Sequence, residues 1–99
     1  MKIFGYLYKV ECDNSLEQMD AMGRLHARSL SMQIANDMSP QQIQSTILHE
    51  MIEGINYHLQ LGLEHKTIMV LETGLFQVLT DNGIDLSPLN NFKGEDHDE

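Results

Sequence analysis

The sequence predicts an α+β fold, a small antiparallel sheet followed by two packed helices. Three observations carry this expectation. The amino-terminal stretch KIFGYLYKVE alternates apolar and polar residues and is rich in Tyr, Phe, Ile and Val, as strands are. Ser39-Pro40-Gln41-Gln42 opens a long segment of helical period. Gly62 and Asn82-Gly83 then stand where two successive helices would end.

In order along the chain, Lys2 to Glu11 reads as a strand. Cys12 to Met22 opens with Asp-Asn-Ser after the cysteine and is polar, a loop with room for a helical turn. Gly23 to Asn36 spaces Leu30, Met32 and Ile34 by two, which suits one or two strands bent near Arg28-Ser29, and Asn36-Asp37 makes a turn. Ser39 can cap a helix, Pro40 suits its first position, and Gln42 completes a capping box. The helix should run from Pro40 to about Leu61. At about 100° per residue, Leu48, Ile52, Ile55 and Leu59 form its apolar stripe, widened by Met51. His49, Glu53, Asn56 and Gln60 form a polar stripe beside it. A second helix from about Lys66 to Asp81 should bury Ile68, Leu71, Leu75, Val78 and Leu79 against the first. Ile84 to Phe92 reads as an apolar strap.

Ninety-nine residues make one domain, expected over residues 1–92, with Lys93 to Glu99 (KGEDHDE) as an acidic disordered tail. Fifteen acids against six bases give a net charge of −9, which opposes binding to nucleic acid or anionic lipid and suits a basic protein partner, a cation or plain solubility. The second helix has almost no basic residue, which excludes a helix-turn-helix reading. The lone Cys12 excludes an internal disulfide and fits a reducing compartment. MKIFGYLYKVE lacks a signal-peptide apolar core, and no apolar run approaches the roughly 20 residues of a membrane span, so the cytoplasm is the expected location. Seven methionines suit gap-filling in a small core or an adaptable binding surface. There is no phosphate loop, CxxC pair or GxSxG elbow.

The chemistry lies in STILHEMIEGINYHLQ, Ser45 to Gln60. Residues four apart share a helix face, so His49 and Glu53 can hold one cation between them. Glu50 follows the first ligand, where HExxH helices place the general base. Glu72, among the core positions of the second helix, is the candidate third metal ligand. The same residues also read as solvated charges on an ordinary amphipathic helix. His58 is expected on the far side and exposed. His65 is expected as a turn or surface residue, with an approach to the site from the loop as the other reading. His26 is expected to face solvent.

Leu48-His49-Glu50, Asn56-Tyr57 and the later run Glu72-Thr73-Gly74-Leu75-Phe76-Gln77-Val78-Leu79-Thr80-Asp81-Asn82 resemble the small zincin-like domains of bacteriophages and mobile elements. The resemblance covers about Tyr6 to Asn82. It implies a minimal zincin-like fold with metal ligands His49, Glu53 and Glu72 and catalytic base Glu50. The departure is Glu53, where the family pattern has a second His. One imidazole with two carboxylates is a harder, more anionic donor set that takes zinc, manganese or iron, and makes the cation a poorer Lewis acid. Two expectations follow from the resemblance. One is a metal-dependent peptide hydrolase, active or degenerate. The other is a phage accessory protein on a retired zincin scaffold, without metal, which binds a host protein through an acidic surface in the host cytoplasm; a domain of either kind can pair as a homodimer.

Overall fold

The computed structural model describes residues 1–13, 15, 22–35 and 37–92. A hairpin opens the chain: β1 (Lys2–Ile3) pairs antiparallel with β2 (Tyr6–Leu7). Phe4 and Gly5 join them with φ of 53° and 79°. Two successive positive φ values are what a two-residue turn matched to strand twist demands. The expected single strand over Lys2 to Glu11 is therefore three short ones. Its remainder, β3 (Lys9–Cys12), enters a second sheet with β4 (Gly23–His26) and β5 (Ser31–Ile34). A 3-10 turn, Ala27–Ser29, and Leu30 at φ 54° make the bend between β4 and β5 where it was expected.

The fold class is the expected α+β, with one refinement to the sheet. Its order is β3-β5-β4; β4 and β5 are antiparallel, but β3 and β5 are parallel. The chain leaves β3 and re-enters at the far edge, and β5 then fills the slot between. Pairing of this kind is set by the connection rather than by local pattern. The expected loop over Cys12 to Met22 and the acidic tail fall largely or wholly outside the described residues.

Alternation places Val10, Met32 and Ile34 on one face of this sheet, all at 0% exposure. They join Ile3, Tyr8, Ile43 and Ile47 in the core. Helix α1 (Pro40–Leu59) lies on that face and also packs against α2 (His65–Asp81). The capping box is formed: the Gln42 amide donates to Ser39 Oγ at 3.2 Å, and the Ser39 amide donates to Gln42 Oε1 at 2.9 Å. Gln60 at φ 53° and Gly62 at φ 69° end α1. A final 3-10 segment, Ser87–Phe92, lies back as the expected strap. Its Leu89 and Phe92 pack on the core, and Asn90 donates to the Pro40 carbonyl at 3.0 Å.

Two faces differ from expectation. The buried line of α1 is Ile43, Thr46, Ile47, Glu50 and Gly54, with Leu48 at its margin, while Ile55 and Leu59 are exposed. The line contains a hydroxyl, a carboxyl and a glycine, so an apolar-periodicity search passes over it. On α2, Ile68 is buried and Leu79 half-buried, but Leu71, Leu75 and Val78 are 48%, 42% and 57% exposed. Among the described elements only α1 packs extensively against α2, so one side of α2 is left without a neighbour.

Candidate metal centre

A cleft of about 790 Å³ opens between β4, α1 and α2. Two close backbone approaches pack the strands onto α1. A Cβ on Gly23 would stand 2.6 Å from Thr46 Cγ2 and 3.3 Å from Glu50 Oε2. A Cβ on Gly54 would stand 2.9 Å from Ile3 Cδ1. The two glycines let β4 and the hairpin lie directly on α1, and β4 thereby covers Glu50.

Glu50 is 4% exposed, lines the cleft, and has no hydrogen-bond or ion-pair partner among the described residues. A carboxyl placed so is costly to ionise. Burial, and secondarily the nearby Glu53 carboxylate, push its pKa from 4.5 up to about 8. Such a group exchanges its proton near neutral pH, as a general acid or base must.

His49 and Glu53 meet as helical spacing requires, with Nε2 3.4 Å from Glu53 Oε2. Glu72 also arrives, 3.9 Å from His49, but at Nδ1. Ser45 Oγ donates to the other Glu72 oxygen at 2.5 Å. His49, Glu53 and Glu72, the expected ligands, and Glu50, the expected base, all line one cleft. His65 arrives as well, by the second of its two expectations: its Nδ1 lies 3.0 Å from Glu53 Oε2 and its ring is 5.1 Å from that of His49. One donor atom each from His49, Glu53 and His65 lie within 4.8 Å of one another.

The link between the helices brings His65 there. Asn56 Oδ1 accepts from the Leu63 amide at 2.9 Å, and Asn56 Nδ2 donates to the Leu63 carbonyl at 3.4 Å. This grip on both backbone groups of Leu63 folds residues 60–64 back over α1. Asn56 belongs to the polar stripe of α1, and its hold on a backbone seven residues away has no signature in the sequence pattern.

His58 departs from expectation as well. It sits on the far side of α1 from His49, but half-buried under the hairpin. Its Nε2 is 2.6 Å from Tyr8 Oη, and its ring stacks on Tyr6 at 4.7 Å. Burial pushes the Tyr8 phenol up, so the hydroxyl keeps its proton for that contact. His26 is exposed, as expected. No described helix is long and apolar enough to cross a membrane.

The donors fit a divalent cation. Bonds of about 2.0–2.1 Å in tetrahedral geometry set ligand atoms about 3.4 Å apart, close to the separations around Glu53 Oε2. No family profile, curated protein or solved structure matches the chain, so the candidate site stands on its geometry.

Proposed function

We propose that this chain is a zincin-like domain that holds one divalent cation beside His49 and Glu53 and hydrolyses a peptide amide with Glu50 as the base. The observation that carries the reading is Glu50: buried, unpartnered among the described residues, and open to the same cleft as the His49–Glu53 pair. A cation there supplies Lewis-acid polarisation of a carbonyl oxygen. Once ionised, a form that a nearby cation favours, Glu50 takes a proton from a cleft water through a carboxylate oxygen and returns it to the leaving amine. Glu53 in place of a second imidazole suits zinc, manganese or iron.

The test is metal content after chelator-free purification, followed by titration with zinc and manganese. The expected result is one ion per chain, lost in His49→Ala. A wild-type chain that takes up neither metal would sink the proposal.

A second reading, a phage-type accessory domain that binds a host protein, is favoured by a different observation. Leu71, Leu75 and Val78 repeat at helical spacing on the uncovered side of α2, in a chain of net charge −9. An apolar strip in an acidic field suits a partner with an apolar groove and a basic rim. In this reading Glu50→Gln leaves partner co-purification from a bacterial host unchanged, and Leu75→Asp abolishes it. Retention by Leu75→Asp would count against it.

A further inference from the structure

We infer that the cation site is completed by His65 rather than by Glu72, and that Glu72 positions His49 from behind. This rests on the metal-binding reading above and assigns its third ligand. The two nitrogens of an imidazole point in different directions, so an ion bound at one leaves the other facing away. In His49, Nε2 faces Glu53 at 3.4 Å and Nδ1 faces Glu72 at 3.9 Å. A cation shared by His49 and Glu53 therefore sits on the Nε2 side, with Glu72 across the ring. On that Nε2 side stands His65, with Nδ1 3.0 Å from the Glu53 oxygen that His49 also meets.

The outcome is a donor set of two imidazoles and one carboxylate: one donor atom each from His49, Glu53 and His65 lies within 4.8 Å of the others, and His49 Nε2 and His65 Nδ1 stand 3.4 Å and 3.0 Å from Glu53 Oε2. Glu50, buried without a partner among the described residues, lines the same cleft as these three side chains. Glu53 takes the place of the second helical imidazole, and His65 restores an imidazole from the start of the next helix. The set is softer than one imidazole with two carboxylates, which moves the preference back toward zinc.

Glu72 then has the role that carboxylates commonly take behind a ligating histidine. It favours a proton on Nδ1, which leaves the Nε2 lone pair for the ion. Ser45 fixes Glu72 for this by donating to its second oxygen at 2.5 Å. The 3.9 Å separation to His49 is an electrostatic contact, longer than a hydrogen bond.

The experiment compares wild type, His65→Ala, Glu72→Ala and Glu72→Gln as full chains, each first shown by circular dichroism to be folded without metal. Zinc affinity is measured by competition with a chelating dye, and imidazole count by X-ray absorption of the zinc-loaded protein. Wild type should show two imidazoles. His65→Ala should lose at least about 100-fold in affinity and show one. Glu72→Ala should lose about 10–100-fold yet keep two imidazoles, as loss of an outer carboxylate does. Glu72→Gln keeps an acceptor for Nδ1–H but is a poor ligand, so it should recover most of that loss. One imidazole in wild type, or full affinity in His65→Ala with heavy loss in Glu72→Gln, overturns this assignment and leaves the metal-binding reading standing. No zinc uptake by wild type overturns both.

Discussion

Helices α1 and α2 are of similar length, yet α1 buries six residues and α2 buries only Ile68. The difference follows from position in the layers. One side of α1 is covered by β4, β5 and the hairpin, and another meets α2; α2 meets chiefly α1. Apolar content alone does not separate the two, since α2 is rich in Leu, Val, Ile and Met. Burial in a small domain is decided by how many elements reach a helix, and there are too few here to cover both.

This contrast can be broken experimentally, most strongly on α1. Ile47 is fully buried between the helix and the sheet, so Ile47→Ala should cost about 2–5 kcal/mol in urea unfolding. A loss below about 1 kcal/mol would mean that α1 is not the centre of the core.

Next in size is the dependence on pH without metal. The folded chain holds the Glu50 proton up to about pH 8, whereas unfolding returns that carboxyl to its ordinary value of 4.5. Its stabilising share is thus fully present below pH 4.5 and is lost as pH rises toward 8, by roughly a few kcal/mol. Asp13 and Asp85, held low by hydrogen bonds from Ser15 and Ser87, change charge only below this window. Unfolding with chelator at about pH 5, 7 and 9 should show the fall in wild type and not in Glu50→Gln. Parallel curves for the two proteins would contradict it.

A smaller effect is expected at the close approach of β4 to α1. Gly23→Ala must push Thr46 and Glu50 aside and should cost about 1–3 kcal/mol. Smallest of all, Val78→Ser on the uncovered side of α2 should shift stability by no more than about 0.5 kcal/mol. A large loss there would show that α2 is covered in solution, which a concentration-dependent sedimentation measurement would reveal as self-association.

Much of this was legible in the chain. The cap at Ser39-Pro40-Gln42 and the bend near Arg28-Ser29 are local chemistry, and local chemistry is written in local sequence, whereas the helix stops at Leu59 with Gln60 left-handed, two residues before the expected Gly62. The His49–Glu53 pair was legible because helical spacing brings the two together. Three features were not. The parallel pairing of β3 and β5 depends on residues 13–30, which carry β4 to the far edge of the sheet. The buried face of α1 runs through Thr46, Glu50 and Gly54, which hydropathy scores as surface. His65 reaches the cleft only because Asn56 turns the link back, a contact with no periodicity to betray it.

Tyr8 and Asn90 grip opposite ends of the same rod. Tyr8 meets His58 near the end of α1, and Asn90 meets Pro40 at its start; each contact spans fifty residues of chain. In kinetic terms these are two long loop closures on a helix whose own cap forms locally. The entropy of closing them is lost before their contacts give any return. We therefore expect the cap to be present in the folding transition state and both grips to form after it. Tyr8→Phe and Asn90→Ala would then speed unfolding and leave the folding limb of a chevron almost unmoved, whereas Ser39→Ala would slow folding.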